Sequence, residues 1–389
     1  MSVHATRAVF MRGGTSKGII FRAEDLPRDR STWGPIFLAA MGSPDPSGRQ
    51  LDGMGGGLSS LSKVCVVGPP TRSDADVDYT FAQVAIDQST VDFGANCGNM
   101  TSAIGPFALD EGLVPPPSGD EAVVRLHNTN TGKIIVSRFP VKDGRAAVEG
   151  DLAIDGVAGT AAPIRLNFAD PAGSKTGALL PSGKVADTFE VPGFGAVRVS
   201  LIDAANPTVL VAASDVGMSG SESPLAIERD RDLMDRLETL RHISSVVMGI
   251  APDLESAARI VSTPKIGMLS ASTETTLLSG RTMAADEVDI LVRAISVGQP
   301  HRAVPLTVAL CLAVACRISG TVAHRLVRSG AATAPVRIGH PSGSILVTAA
   351  VTETDKGYAV PFATIYRTAR RLFQGEVLYS LPATTANGK

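Results

Sequence analysis

The chain has 389 residues, 44% hydrophobic and 19% charged, with a formal net charge of −2 and a pI near 6.3. That length exceeds one ordinary core and points to two domains, with ample apolar material to fill both. Aromatics are only 4%, with one tryptophan and no basic block, so nucleic acid is not an expected partner.

The amino terminus, Met1-Ser-Val-His-Ala-Thr-Arg7, carries no signal-peptide pattern, and no apolar run reaches membrane-spanning length. A cytoplasmic protein without a membrane partner is the expectation. The four cysteines, Cys65, Cys97, Cys311 and Cys316, form no Cys-x-x-Cys, which suits free thiols in a reducing compartment. The six histidines are scattered, and no protein-built metal site is expected.

In chain order, residues 9–11 and 18–22 read as strands flanking the turn in Met11-Arg-Gly-Gly-Thr-Ser-Lys-Gly18. The run lacks the spacing of a phosphate loop. Its backbone amides and the Thr15 and Ser16 hydroxyls can hold a carboxylate, and an ordinary hairpin turn is the other reading. Asp52-Gly-Met-Gly-Gly-Gly57 is no dinucleotide fingerprint, because Leu58 stands where the third glycine belongs. Amides packed that densely, at Gly56 and Gly57 among others, still suit an anion. Lys63 follows this loop and enters the apolar strand Val64-Cys-Val-Val67, where a partly desolvated amine can act as a base.

Residues 77–86 alternate at period two. Next comes Ala95-Asn96-Cys97-Gly98-Asn99, directly before a helix that runs to Leu109. A thiol there faces the unpaired N–H groups and positive end of the helix, which stabilise thiolate. Cys65, Cys311 and Cys316 read instead as buried hydrophobes. Residues 123–127 and 133–137 form a hairpin through Asn128-Thr-Asn-Thr-Gly132, and the glycine- and serine-rich stretch 171–184 marks the boundary between halves.

The second half opens with strands at 196–202 and 208–212. One helix is then expected, with Ser223 as N-cap, Pro224 at its first position and Gly249 near its end, burying Ile227, Met234, Leu237 and Leu240. Strands at 266–270 and 288–295 precede a second apolar helix at 305–317. His301-Arg302 lies just before that helix, where Arg302 can pair with a carboxylate, and His340-Pro-Ser-Gly343 forms a turn. Both apolar helices are rich in small residues and nearly free of charge, as wrapped helices must be. The fold class expected is α+β: a duplicated architecture in which each half encloses its apolar helix in sheet, with a ligand cleft between halves.

Cys97-Gly-Asn99 at a helix start resembles the Cys-Gly-Asn-Gly motif of diaminopimelate epimerases. More specifically, Met11–Gly18, Gly42-Ser-Pro-Asp-Pro46, Asp52-Gly-Met-Gly-Gly56 and Ser62-Lys-Val64 are similar to the PrpF family. So are Asn96-Cys-Gly-Asn99, Pro264-Lys-Ile266, His301-Arg-Ala303 and His340-Pro-Ser-Gly343, in order through nearly the whole chain. Members include 2-methylaconitate isomerases, methylitaconate Δ-isomerases and 4-oxalomesaconate tautomerases. The resemblance implies a cofactor-free, diaminopimelate epimerase-like fold of two pseudo-repeated domains, 1–185 and 186–369, each a β-barrel-like sheet wrapped round a central apolar helix, with a C-terminal strand, about 370–385, returning to the first.

A two-base epimerase needs a second cysteine at the start of the second central helix. This chain has Pro305-Leu306-Thr307 there, with Cys311 a turn further in, so Lys63 stands in for the missing thiol. The resemblance thus implies Lys63 and Cys97 as catalytic residues. It implies Thr15, Ser16, Gly56, Gly57, Asn96, Gly98, Asn99, Lys265, His301, Arg302, Thr307, His340 and Ser342 as substrate-binding residues. Val308 and Gly57-Leu58-Ser59 depart from the family pattern and leave substrate identity open. The expected activity is a 1,3-allylic proton shift in an unsaturated di- or tricarboxylate, with one of Lys63 and Cys97 removing the proton. Lys63 is favoured as base and Cys97 as acid or proton-relay partner, and the sequence does not fix the order. Alternatives are an amino-acid epimerase or racemase of the same fold, or a non-catalytic tricarboxylate-binding protein. A small-molecule carboxylate is the expected partner, and a homodimer the assembly to test.

Overall fold

Runs in which every second side chain is apolar form strands along most of the chain, and runs with apolar residues three and four apart form the helices. A computed structural model describes residues 2–93, 97–260, 263–296, 298–330, 334–355 and 357–381. The content is mixed α/β and mostly sheet. The chain divides into two units, Met1–Asn167 with Arg367–Lys389, and Phe168–Tyr366.

In the first unit the strands Ser2–Gly13 and Ser16–Arg22 form a tight hairpin that closes Gly13 onto Ser16. Strand Ala369–Leu381 lies antiparallel along Ser2–Gly13, from Ser2 opposite Leu381 to Gly13 opposite Ala369. Strand Lys63–Gly68 runs parallel to Ser16–Arg22 and antiparallel to Val77–Val84, so Gly18, Lys63 and Gln83 stand in one row. Helix Trp33–Met41 covers these strands, burying Phe37 and Met41 among Phe21, Val64, Val66 and Tyr379. Each such large side chain contributes about 1.5–3 kcal/mol by leaving water. Helix Gly98–Asp110 is buried without a break from Met100 to Leu109 and packs on strands of its own unit. Burial on every side leaves no place for a charged residue, which is why this helix has none before its last position.

In the second unit the hairpin of Gly195–Ala204 and Asn206–Ala212 continues into Lys265–Ala271, parallel to Asn206–Ala212, and then Ile290–Ser296, antiparallel. A second hairpin pairs Val336–His340 with Gly343–Thr354. Helix Leu306–Ala315 is buried from Val308 to Ala315 and packs on Gly195–Ala204, Asn206–Ala212 and Gly343–Thr354.

The single helix expected from Ser223 to Gly249 is instead two, Pro224–Arg229 and Arg231–Val247. Asp230 breaks it: its backbone leaves the helical region (φ −82°, ψ 86°), and its carboxylate accepts the Leu233 amide at 3.0 Å. A short acidic side chain that can cap a new helix competes with continuing the old one. Ser223 and Pro224 do cap and open the first helix, and Ile227, Leu237 and Leu240 are buried in one cluster with Met234 packed against it. The glycine- and serine-rich residues 173–177 wrap the buried carboxylate of Asp203, which accepts the Lys175 and Thr176 amides at 2.8 and 2.7 Å.

Candidate active site

The first unit gathers Lys63, Cys97 and the Gly13–Ser16 turn. Lys63 opens its strand and is 8% exposed. Its Nζ donates to Gln83 Oε1 at 2.6 Å and stands 5.2 Å from the centre of the Phe81 ring. Gln83 cannot turn away, because its Nε2 donates to the Ser59 and Ser62 carbonyls at 3.0 and 2.9 Å. With both amide hydrogens engaged, the carboxamide oxygen is fixed toward the amine. Antiparallel register alone brings Gln83 opposite Lys63.

Cys97 is the N-cap of helix Gly98–Asp110, half-buried, with extended backbone (φ −112°, ψ 99°). Its carbonyl accepts the Thr101 amide at 2.9 Å and the Thr101 hydroxyl at 3.0 Å, which anchors the thiol-bearing residue to the first helical turn. Cys65 lies on the Lys63 strand and is fully buried. Burial pushes the Cys65 thiol well up, a negative charge at Cys97 pushes the same way and the Lys63 ammonium opposes them. One buried sulfur thus feels both Lys63 and Cys97.

Asn99 is tied from two sides: its Nδ2 donates to Thr15 Oγ1 at 3.1 Å, and its Oδ1 accepts Arg367 Nε at 3.0 Å. Burial pushes Arg367 down to about 10, against the opposing charge of Cys97. Arg12 braces the same turn, donating through Nη1 to the Gly14 carbonyl at 2.9 Å and to the Thr368 carbonyl and hydroxyl. Ser16 is buried, Thr15 exposed and Gly98 half-buried. Gly57 donates its amide to Gln50 Oε1 at 3.1 Å, and Gly56 packs beside Leu61. Gln50 in turn donates to the Ser62 hydroxyl at 2.7 Å, which ties the glycine loop to the residue before Lys63. Asn96 lies outside the described residues.

The second unit gathers a separate set. Lys265 opens its strand and is pushed down by burial; His301 is pushed down by burial first and by the Lys265 charge second. The Ser342 hydroxyl donates to the Arg302 carbonyl at 2.7 Å, and the Ser342 amide donates to His340 Nδ1 at 3.2 Å. Arg302 and Ser342 are exposed, His340 is buried, and Thr307 lies in the first turn of Leu306–Ala315. Cys311 and Cys316 are fully buried and pushed up to about 12, chiefly by burial. Cys311 donates to the Ile202 carbonyl, as a packed thiol does.

Two residues at the Lys63 and Cys97 groups were not legible in advance. Arg367 is one of three arginines in Tyr366-Arg-Thr-Ala-Arg-Arg371, and nothing in that run separates it from the others. Gln83 carried a faint signal, as a carboxamide in an otherwise apolar stretch of strand.

Residues 3–380 match the profile of the family described as PrpF protein. The chain is 40% identical over 380 residues to the 2-methyl-aconitate isomerase of Cupriavidus necator, covering 95% of this chain and 96% of that protein. It is 39% identical over 370 residues to the 4-oxalomesaconate tautomerase of Pseudomonas putida, covering 95% and 94%. The crystal structure of a methylitaconate-delta-isomerase superposes with a TM-score of 0.87 at 39% identity, over 97% of this chain and 96% of that one. With a matching profile from one end to the other and relatives this similar over their full lengths, the chain belongs to the PrpF protein family.

Proposed function

We propose that this chain is a cytoplasmic, cofactor-independent isomerase that moves a C=C bond in an unsaturated di- or tricarboxylate of the 2-methylaconitate or 4-oxalomesaconate type. The observation that carries this reading is the first-unit pair. Lys63 has an oriented amine, Cys97 opens a helix, and both act electrostatically on Cys65. In the second unit the two thiols, Cys311 and Cys316, are fully buried. One accessible thiol and one amine suit a proton moved between two carbons better than inversion at one.

The substrate's carboxylates acidify an allylic C–H. Lys63 takes that proton, leaving a dienolate whose charge backbone amides at the Gly13–Ser16 turn and the start of helix Gly98–Asp110 stabilise. Cys97 delivers a proton at the γ-carbon, and the double bond has moved. In the first unit Thr15, Ser16, Gly98 and Asn99 are proposed as carboxylate contacts; in the second, Lys265, His301, Arg302, Thr307, His340 and Ser342 are proposed as a separate carboxylate-binding set. The relatives named for methylaconitate and oxalomesaconate support both substrate types equally. The small-residue helices Gly98–Asp110, with no charge before its last position, and Leu306–Ala315, each packed on strands of its own unit, support a pseudo-repeated fold in which each domain wraps one of them.

Proton NMR in D₂O with a panel of unsaturated di- and tricarboxylates tests the reading. Wild type should exchange the allylic proton and shift the double bond of one acid. Lys63→Ala and Cys97→Ser should each slow exchange, since a positioned acid or base supplies roughly 10²–10⁴-fold. Wild-type exchange in the double variant would sink the assignment. Diaminopimelate and hydroxyproline belong in the panel, and exchange at their α-carbon alone would favour an epimerase.

A further inference from the structure

Arg367 is a half-buried cation whose hydrogen bond to the start of the thiol-bearing helix is made to a neutral group. Its Nε donates to Asn99 Oδ1 at 3.0 Å, and Asn99 then donates to Thr15 Oγ1 at 3.1 Å. Asn99 is two residues past Cys97, in the first turn of Gly98–Asp110. Gly14 makes the approach possible. A Cβ there would stand 2.3 Å from Asn99 Oδ1 and 3.1 Å from Arg367 Cδ, and its backbone has φ +52°. The carboxamide is therefore gripped from both ends, and the bond leaves the guanidinium's charge intact. Burial disfavours that charge, and a negative charge at Cys97 favours it.

The proposed reaction gives this charge a use. When Cys97 protonates the γ-carbon, the S–H bond breaks, a C–H bond forms, and thiolate is left until the Lys63 ammonium returns a proton. A cation already held beside the helix start stabilises that thiolate with no reorganisation. We propose that Arg367 is a positioning residue for Cys97, fixing the first turn of its helix through Asn99 and balancing the thiolate that forms there. The inference rests on Cys97 as the proton donor, but its test needs no substrate.

The test is alkylation of the full-length chain by iodoacetamide at pH 7. Cys65, Cys311 and Cys316 are buried, so the native chain reports Cys97 alone. Loss of a cation held at the first turn of the thiol-bearing helix is expected to slow reaction of that thiolate by roughly tenfold or more. Arg367→Gln should therefore slow alkylation by about that factor while one thiol still reacts. Arg367→Lys, which keeps the cation, should stay within about threefold of wild type. Alkylation of Arg367→Gln at the wild-type rate overturns the proposal, as does Arg367→Lys slowed as far as Arg367→Gln. If Arg367→Gln exposes further thiols, Arg367→Met, which fills the space of the apolar stem, is read in its place with the same expected slowing. Failure of wild type to isomerise any acid would defeat the isomerase reading and leave the alkylation result standing.

Discussion

Gly18→Ala is a one-carbon change that should disable Lys63 without substituting it. Gly18 stands beside Lys63 in the parallel pair, and a Cβ built on it would lie 2.3 Å from the Lys63 carbonyl oxygen and 3.0 Å from Lys63 Cβ. Ordinary contact begins near 3.4 Å. The first gap must therefore open by about 1 Å, and the obstacle is backbone, which cannot swing aside as a long side chain can. On its other side Lys63 is paired with Gln83, so the movement separates Nζ from the acceptor that orients it. A misplacement of about 1 Å at a reacting group costs on the order of 100-fold in rate. Overpacking costs about 1–3 kcal/mol, a fall in Tm of roughly 2–4 °C for each kcal/mol in a unit of this size. Exchange into D₂O by NMR gives the first quantity and scanning calorimetry the second. Exchange within threefold of wild type in a folded Gly18→Ala chain would refute the argument that this strand spacing sets the amine.

Gln83→Leu removes the acceptor of Lys63 Nζ and both donors to the Ser59 and Ser62 carbonyls. The hydrogen bond that orients the amine is worth roughly 0.5–1.5 kcal/mol, so exchange should slow about 2- to 10-fold. Cys97 alkylation should be unchanged, and an equal slowing of both would indicate general disruption instead. In the second unit His301 has a folded pKa below its ordinary 6.5, through burial and then Lys265. As pH falls through 6.5 the unfolded imidazole takes a proton that the folded one refuses, so stability declines until the folded pKa is passed. Lys265→Met should raise the His301 pKa and narrow that window, reducing the loss of stability between pH 7 and pH 5. A histidine NMR titration and denaturant unfolding at both pH values measure this, and an unmoved His301 midpoint rules the coupling out.

Strands were legible where side chains alternate over a half-buried surface, as at Glu121–Asn128 and Lys133–Lys142, and the apolar helices were legible by their lack of charge. The break at Asp230 was not, because Ile227, Met234, Leu237 and Leu240 keep helical spacing straight through it. Only the capping geometry shows the carboxylate turning to Leu233. Local chemistry singled out Lys63 and Cys97, one by its glycine-rich approach and the other by a polar turn at a helix start. Their neighbours Gln83 and Arg367 come from 20 and 270 positions further along the chain, by strand register and by the path of a late strand. Such partners depend on pairing that no local pattern encodes.

The pairing of Ser2–Gly13 with Ala369–Leu381 also governs when the parts of the molecule can form. During synthesis the Phe168–Tyr366 segment emerges whole, so its own strands and helices can assemble as soon as they leave the ribosome. The first unit must wait, its opening strand missing a neighbour until residue 381 has appeared. The growing chain therefore carries an unpaired strand edge for nearly the entire time of its translation, the kind of edge that recruits other chains. Arg367 arrives with the same late segment, so the grip on Asn99 forms among the last of all contacts, and a ribosome-bound chain stopped short of it would hold Lys63 and Cys97 but not the cation.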